Sequence, residues 1–332
     1  MRIVVIGLGS MGKRRLRLLN RIDASIELLG IDGRVDRQEE ALKQAEEMNF
    51  SLKTFSAISD IPESLEIDAA VISTSPLSHN AIIKECLTRN WSVFTELNLV
   101  ADGYDENMAL ADKMGKCLYM SSTPMFRREM KYITDKVKNN QGVINYVYHV
   151  GQYLPDWHPW ESYKDFFIGN KKTNGCREIL AVELPWLSKC FGEITDIQSQ
   201  SMRQTKLDID FCDCYNLLVT HADGHKGVII ADVVCRKPVR FLEVSGEDLF
   251  ITWRGSFDSL MEYDLDEKKE KNIELYSQIQ HRDGYNSLII ENAYEEELVD
   301  FLAVLAGEKE AEYSFEKDRV ILDWIDKVEN NS

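Results

Sequence analysis

Within the first 32 residues an apolar run, Arg2-Ile3-Val4-Val5-Ile6, ends in Gly7-Leu8-Gly9-Ser10-Met11-Gly12, opens into a basic segment with helical spacing, and is followed by a second apolar run over 26–31 and by Asp32. No other feature constrains the chain as tightly. A β-branched strand that ends in G-x-G-x-x-G and feeds a helix commits the polypeptide to a parallel βαβ unit, and each glycine has its own steric task. Gly7 permits the tight turn, Gly9 lets the backbone approach a diphosphate, and Gly12 lets helix and strand pack closely. The helix beginning near Ser10 and Met11 directs backbone N–H groups and a partial positive charge at the same spot. Asp32 falls twenty positions after Gly12, where a carboxylate would accept hydrogen bonds from ribose hydroxyls. NAD is therefore the expected cofactor, since a second carboxylate would repel a 2′-phosphate. Arg34, two residues on, leaves NADP open.

The 332 residues suffice for two domains with substantial cores. With 39 basic and 56 acidic residues the formal charge is −17, a balance that repels nucleic acid and anionic membrane surfaces and argues against either as partner. Seven cysteines, an odd number without framework spacing, lie mostly inside apolar runs and read as reduced core thiols. Cys212 and Cys214 would share one face of a strand, but no second ligand pair accompanies them, so no metal site is expected. Met1 leads almost directly into the first strand, and no apolar run approaches ~18 residues. The expectation is a soluble, cytoplasmic protein.

Strand and helix patterns alternate through the first part of the chain. Residues 37–48 have helical spacing, and 68–73 read as a buried parallel strand ending in Ser73-Thr74-Ser75-Pro76. Ligands bind outside the carboxyl edge of such sheets, so Ser73, Thr74 and Pro76 are expected at the cofactor, with His79 opening the helix that follows. Residues 92–95, 104–114 and 117–121 continue the alternation, which predicts a doubly wound parallel Rossmann sheet over 1–122. From about residue 141 the period changes to two, over 143–150, 209–219 and 227–235, with a hairpin turn at 222–225. Helices are expected over 294–305, with an apolar stripe at Leu298, Phe301, Leu302 and Leu305, and over 318–328. Residues 123–332 thus read as a second, α+β domain for substrate binding and oligomerisation, built on an open, mainly antiparallel sheet. An uncovered sheet face predicts a homo-oligomer, dimer or tetramer.

This order of parts resembles the Gfo/Idh/MocA oxidoreductase family, which contains glucose-fructose oxidoreductase and inositol dehydrogenase. The resemblance covers nearly the whole chain through the Gly7/Gly9/Gly12 loop, Asp32, the 73–76 loop, Thr95-Glu96 and the change of grammar between domains. It implies NAD-dependent chemistry and a cofactor contact at Glu96. Family members carry Glu-Lys-Pro after the fifth strand, the Lys contacting substrate and nicotinamide; here the tripeptide is Glu96-Leu97-Asn98. A second signature, a glycine pair leading into a helix with Asp and His one turn apart, corresponds to 174–186. That register places Ile179 at the Asp position and either Val182 or Glu183 at the His position.

On a helix over 175–187, Cys176, Ile179, Val182 and Glu183 share a face, and Pro185 is expected to end or kink it. A Glu on an apolar face would suit acid/base work; the alternative is a structural ion pair, with Arg177 a candidate partner. The stretch 151–163, with Trp157, His158, Trp160, Glu161 and Tyr163, is dense in aromatic and hydrogen-bonding groups and suits a small sugar-like substrate. The candidate catalytic residues are therefore Glu183, His158 and Tyr163. The chemistry they imply is hydride transfer between nicotinamide and a carbinol or carbonyl carbon of a sugar derivative. A non-catalytic nucleotide-binding sensor or scaffold is the alternative, supported by Leu97, and a recycled nicotinamide in elimination or epimerisation is a third.

Overall fold

In a computed structural model, residues 1–157, 161–280 and 290–330 are described, and the chain divides into two compact units: Met1–Ser122 with Tyr294–Asp318, and Thr123–Ala293 with Arg319–Ser332. His158 lies outside the described residues.

The first unit runs β1 (Arg2–Ile6), α1 (Ser10–Ile22), β2 (Glu27–Ile31), α2 (Val35–Glu47), β3 (Leu52–Phe55), β4 (Ala69–Ile72), α3 (His79–Thr88), β5 (Ser92–Thr95), α4 (Tyr104–Met114) and β6 (Leu118–Met120). Its six strands form one sheet in the order β3-β2-β1-β4-β5-β6, every pair parallel. Helices on both faces force the central strands to be apolar throughout, and Ile3, Val4, Val5, Ala69, Ala70 and Val71 have no exposed surface. The chain works outward from β1 to β3 and then restarts at β4 on β1's other side. The carboxyl ends of β1 and β4 therefore flank the switch point at which such sheets bind ligands.

The expected second domain began at residue 123 and ran to the end, but residues 294–318 pack within the first unit. The helix Asn292–Leu305 buries Leu298 and Phe301 in the same cluster as Ile3, Leu16, Val71 and Phe94. Phe301 meets Phe94 and Tyr119 edge-on at ring distances of 5.3 and 5.5 Å. The stripe anticipated at Leu298 and Phe301 thus completes the parallel sheet's core.

The second unit contains α5 (Arg128–Asn139), β7 (Asn145–Gly151), α6 (Gly175–Phe191), β8 (Ile194–Met202), β9 (Cys214–His221), β10 (Lys226–Asp232), β11 (Val239–Ser245), β12 (Phe250–Trp253), β13 (Met261–Asp264) and β14 (Lys269–Asn272). After them come α7, the 292–305 helix already described, and α8 (Phe315–Asn330). The strands form one sheet ordered β14-β13-β12-β11-β7-β10-β9-β8, antiparallel except where β10 meets β7. Tyr146 and Tyr148 of β7 point to the helical side, where Tyr146 stacks on Phe191 at 4.1 Å and Tyr148 meets Trp186 edge-on at 5.4 Å. Alternation sends Val147 and His149 to the opposite face, where both are half-buried. Gly224, at φ +85°, makes the β9–β10 hairpin.

Two local expectations change. Residues 209–213 do not join β9, because the buried Asp213 carboxylate accepts the backbone N–H groups of Gln204 and Thr205 and holds the chain in a loop; Cys212 and Cys214 therefore do not share a strand face. Pro185 neither ends α6 nor breaks it. Leu184, Trp186, Leu187, Cys190 and Phe191 around it are all at most 2% exposed, and their packing outweighs the ~3 kcal/mol that an interior proline costs. All seven cysteines are free thiols. Among the described residues no helix is long and apolar enough to cross a membrane.

Candidate active site

At the end of β1, Gly7 adopts φ +90° and its N–H donates to the Ile31 carbonyl at 2.8 Å. A Cβ there would lie 2.7 Å from the Ser73 carbonyl oxygen, so the turn is closed to any side chain. Gly12 is tighter still: its Cβ would stand 1.8 Å from the Gly7 carbonyl oxygen. Gly9 is different, with nothing nearer its Cβ position than Arg37 Nη1 at 3.6 Å. As the N-cap of α1, Gly9 offers no capping side chain, and the first turn carries no acidic residue. The positive end of α1 therefore faces a position bordered by the Arg37 guanidinium, which fits a diphosphate.

Asp32, with a side chain only 9% exposed, ties this loop to β2. Its Oδ2 accepts from the Leu8 N–H at 2.8 Å and its Oδ1 from the Arg34 N–H at 2.9 Å. Each oxygen keeps a lone pair for a ribose hydroxyl. Arg34 directs its guanidinium at Asp36, 2.5 Å away, whereas Arg37 Nη1 stands 3.8 Å from Asp32. The cation beside the carboxylate is thus Arg37, a residue absent from the sequence-based set.

Across the switch point, the Ser73 N–H donates to the Ile6 carbonyl at 2.7 Å, and its hydroxyl oxygen is buried with no partner among the described residues. Thr74 Oγ1 pairs with Ser78 Oγ at 2.8 Å, and the buried Pro76 opens a short 3₁₀ turn. His79 supports this loop from behind. Its ring lies between the Thr74 carbonyl at 3.0 Å and Asn98 Oδ1 at 2.6 Å, and burial pushes its pKa down. Glu96 accepts from Arg15 Nε at 2.6 Å, while Arg15 Nη2 donates to Glu297 at 2.7 Å and the guanidinium lies 4.6 Å from the Phe94 ring centre. Burial alone would lower the Arg15 pKa; Glu96 and Glu297 more than offset it and raise it further above its ordinary value.

In the second unit, Asn174 caps α6 by accepting the Arg177 N–H at 2.8 Å. Arg177 pairs with Asp326 and Glu329 of α8, both at 2.6 Å, and so is not the partner of Glu183. That place is taken by Arg240, which donates to Glu183 Oε1 at 2.5 Å, while Oε2 accepts from Tyr148 Oη and Trp186 Nε1, each at 2.7 Å. Glu178 Oε2 is shut off from solvent without a hydrogen-bond partner among the described residues, and desolvation pushes this carboxyl up to about 7. Tyr163 is half-buried and its hydroxyl accepts the Asp208 N–H at 3.3 Å. A depression of about 690 Å³ bordered by Lys138, Lys189, Asp223 and His225 contains none of the residues singled out from the sequence.

Residues 1–122 match the model of the Gfo/Idh/MocA group, described as an oxidoreductase family with an NAD-binding Rossmann fold. The parallel strand order of residues 1–122 is the Rossmann order that this description names. Over the whole chain the fold is similar to that of an Agrobacterium radiobacter oxidoreductase solved with NAD+, L-tartaric acid and magnesium (9% identity, TM-score 0.83, 100% of this chain and 96% of that one). It is also similar to UDP-N-acetylglucosamine 3-dehydrogenase GnnA from Acidithiobacillus ferrooxidans (16%, 0.72, 99% and 97%). A third similar structure is the WlbA dehydrogenase from Bordetella pertussis with NADH and UDP-GlcNAcA (16%, 0.76, 100% and 95%). No curated protein matches the sequence.

Against the Gfo/Idh/MocA pattern, the half-buried Leu97 follows Glu96 directly, and Asn98 is committed to His79. The two residues that sequence reasoning missed, Arg37 and Glu178, each depend on what the fold places beside them. Helical spacing could have hinted at Arg37, which is three residues into α2 and so turns back toward the strand ends.

Proposed function

We propose that this chain is an oxidoreductase that moves hydride between the nicotinamide of NAD(P) and a carbinol or carbonyl carbon of a sugar derivative. The observation that carries this reading is the arrangement at β1: Gly9, whose missing side chain would meet only the Arg37 guanidinium, the positive end of α1 behind it, and the Asp32 carboxylate at one side. The α1 N–H groups bind the diphosphate, and Asp32 accepts from the adenosine ribose. Bound NAD(P) supplies the hydride acceptor or donor at its nicotinamide. A sugar substrate is favoured by the aromatic stretch 151–163 and by the UDP-sugar enzymes among the similar folds.

Hydride transfer at a carbinol needs a group to take the hydroxyl proton. Glu183, the first candidate from sequence, is engaged by three donors, and its role here is to fix Tyr148 and Arg240 in place. Glu178 is the better proton carrier, because its buried Oε2 has no partner among the described residues and desolvation pushes its carboxyl up to about 7. Tyr163, with His158, orients the substrate. The seven free thiols favour a reducing compartment, the cytoplasm, and the half-buried outer face of the β7–β10–β11 sheet favours a homo-oligomer.

The test is stopped-flow reduction of NAD+ with a panel of UDP-hexoses and free hexoses. A first-order burst of NADH with any of them supports the reading. Tight NADH binding with no turnover on any sugar would favour a second reading, a nucleotide-binding sensor, which Leu97 supports by leaving the family's Lys position without a proton.

A further inference from the structure

We propose that His149, Asp232 and Cys235 form a zinc site in the second unit, with three protein ligands and one open coordination position. The site exists because β7 and β10 run parallel. Their register sets Ile230 opposite His149 and Asp232 opposite Gly151, so the imidazole and the carboxylate emerge on the same face of neighbouring strands. The chain turns immediately after β10 and returns Cys235 to them. One ligand atom from each residue lies within 4.8 Å of the other two.

The carboxylate is held for this purpose. Asp232 is 3% exposed, and its Oδ1 accepts the N–H groups of Val234 and Cys235 at 3.0 and 2.8 Å. That leaves Oδ2 facing His149 Nε2 at 2.7 Å. Position 151 must be glycine for the carboxylate to sit there, since a Cβ would fall 2.6 Å from Asp232 Oδ2. The Cys235 thiol donates to the Lys237 carbonyl at 3.1 Å, and its deprotonation would free the sulfur for a metal.

Imidazole, carboxylate and thiolate together are a mixed N, O, S set that suits zinc and is too soft for magnesium or calcium. Tetrahedral zinc at its usual bond lengths separates its ligand atoms by roughly 3.3–3.6 Å. The His149–Asp232 pair needs to open by about 0.6 Å to admit the ion, a shift within reach of a half-buried imidazole. Both His149 and Cys235 retain exposed surface, so water or an anionic group can fill the fourth position. The three residues are 83 and three positions apart in sequence, which is why the cysteine and histidine spacing gave no hint of them.

The experiment is equilibrium dialysis of the full-length protein against Zn2+, followed by metal analysis, and replacement by Co2+ followed by absorption spectroscopy. Wild type is expected to retain about one zinc per chain and to give tetrahedral cobalt bands with a thiolate-to-cobalt charge-transfer band. C235S should abolish that band, and C235S and H149N should each weaken zinc binding at least about tenfold. As a check that needs no variant, Zn2+ should protect Cys235 of wild type from iodoacetamide, read by peptide mass spectrometry. Absence of bound zinc at micromolar free metal, equal binding by C235S and H149N, or alkylation of Cys235 at the same rate with and without zinc would each overturn the proposal.

Discussion

Arg15 Nη2 donates to Glu297 Oε2 at 2.7 Å with neither side chain exposed, joining residues 282 positions apart. Glu297 also accepts from Ser121 Oγ and the Ser122 N–H through its Oε1, and Arg15 also holds Glu96, so the ion pair binds α1, the end of β5, β6 and α7 into one unit. Buried pairs of this kind are unforgiving when one partner is lost, because the other charge stays behind unpaired. Glu297→Ala is expected to lower the unfolding free energy by about 3–5 kcal/mol, read from urea denaturation. A loss below about 1 kcal/mol, the level of an exposed pair, would show that the buried charge is relieved elsewhere.

The glycine loop separates space for a ligand from space needed for folding. Gly9→Trp should fold normally and show no detectable quenching of NADH fluorescence, since its side chain would meet only the far end of Arg37 and would fill the diphosphate's place. Gly12→Ala puts a methyl group 1.8 Å from the Gly7 carbonyl and should lower stability by about 1–3 kcal/mol as an overpacked contact. Gly9→Trp binding NADH like wild type would contradict the assignment of the diphosphate to this loop.

Cofactor preference rests on Asp32 and Arg37 together. Removing a carboxylate that accepts ribose hydroxyls forfeits about 1.5–3 kcal/mol, so Asp32→Ala is expected to weaken NADH roughly tenfold to a hundredfold and to leave NADPH unchanged or improved. Arg37→Ala should weaken NADPH and spare NADH. Arg34→Ala should change neither, because Arg34 is occupied by Asp36. Fluorescence titrations of the three variants with both nucleotides decide it.

Glu178 makes a pH prediction with a definite sign. Its folded pKa, about 7, lies above the ordinary value of 4.5, so the folded state binds more protons than the unfolded state between those values, and stability falls as pH rises through that window. Glu178→Gln should remove this loss, amounting to at most about 3 kcal/mol, and flatten the denaturation profile between about pH 4.5 and 7. If Glu178 carries the proton, the same substitution should slow hydride transfer ~10²–10⁴-fold. Glu183→Gln should instead destabilise the protein by weakening its bond to Arg240. A pH-dependent rate retained in Glu178→Gln would rule out Glu178 as the carrier.

The outer face of the sheet carries Val147, Leu218, Ile230 and Phe241, with Leu218 56% exposed. Sedimentation equilibrium of wild type should give a homo-oligomer, and Leu218→Asp should weaken it. A wild-type monomer at micromolar concentration would refute the self-association.

Much of the fold was legible because parallel strands advertise themselves locally: Ile3 to Ile6 and Ala69 to Ile72 are continuous apolar runs, and Gly7, Gly9 and Gly12 carry their steric reasons with them. The fate of α7 was not legible. An apolar stripe at Leu298 and Phe301 states that one helix face is buried and is silent about which sheet buries it. The acid/base candidate shows the same limit. Glu178 and Glu183 look alike along the helix, and two of the three donors that engage Glu183, Tyr148 and Arg240, come from other elements 35 and 57 residues away. Arg34 and Arg37 differ likewise, because the start of α2 turns one toward Asp32 and leaves the other on Asp36.

The return of α7 to the parallel sheet has a consequence for synthesis. When residue 122 has left the ribosome, all six strands of that sheet are available, yet Phe94 and Tyr119 still lack Phe301, and Arg15 still lacks Glu297. More than 170 further residues must be translated first, a wait on the order of ten to thirty seconds at typical elongation rates. For that interval the nascent sheet displays an aromatic face and a buried-to-be cation to the cell. The core of the parallel sheet therefore closes only after most of the second unit has been made.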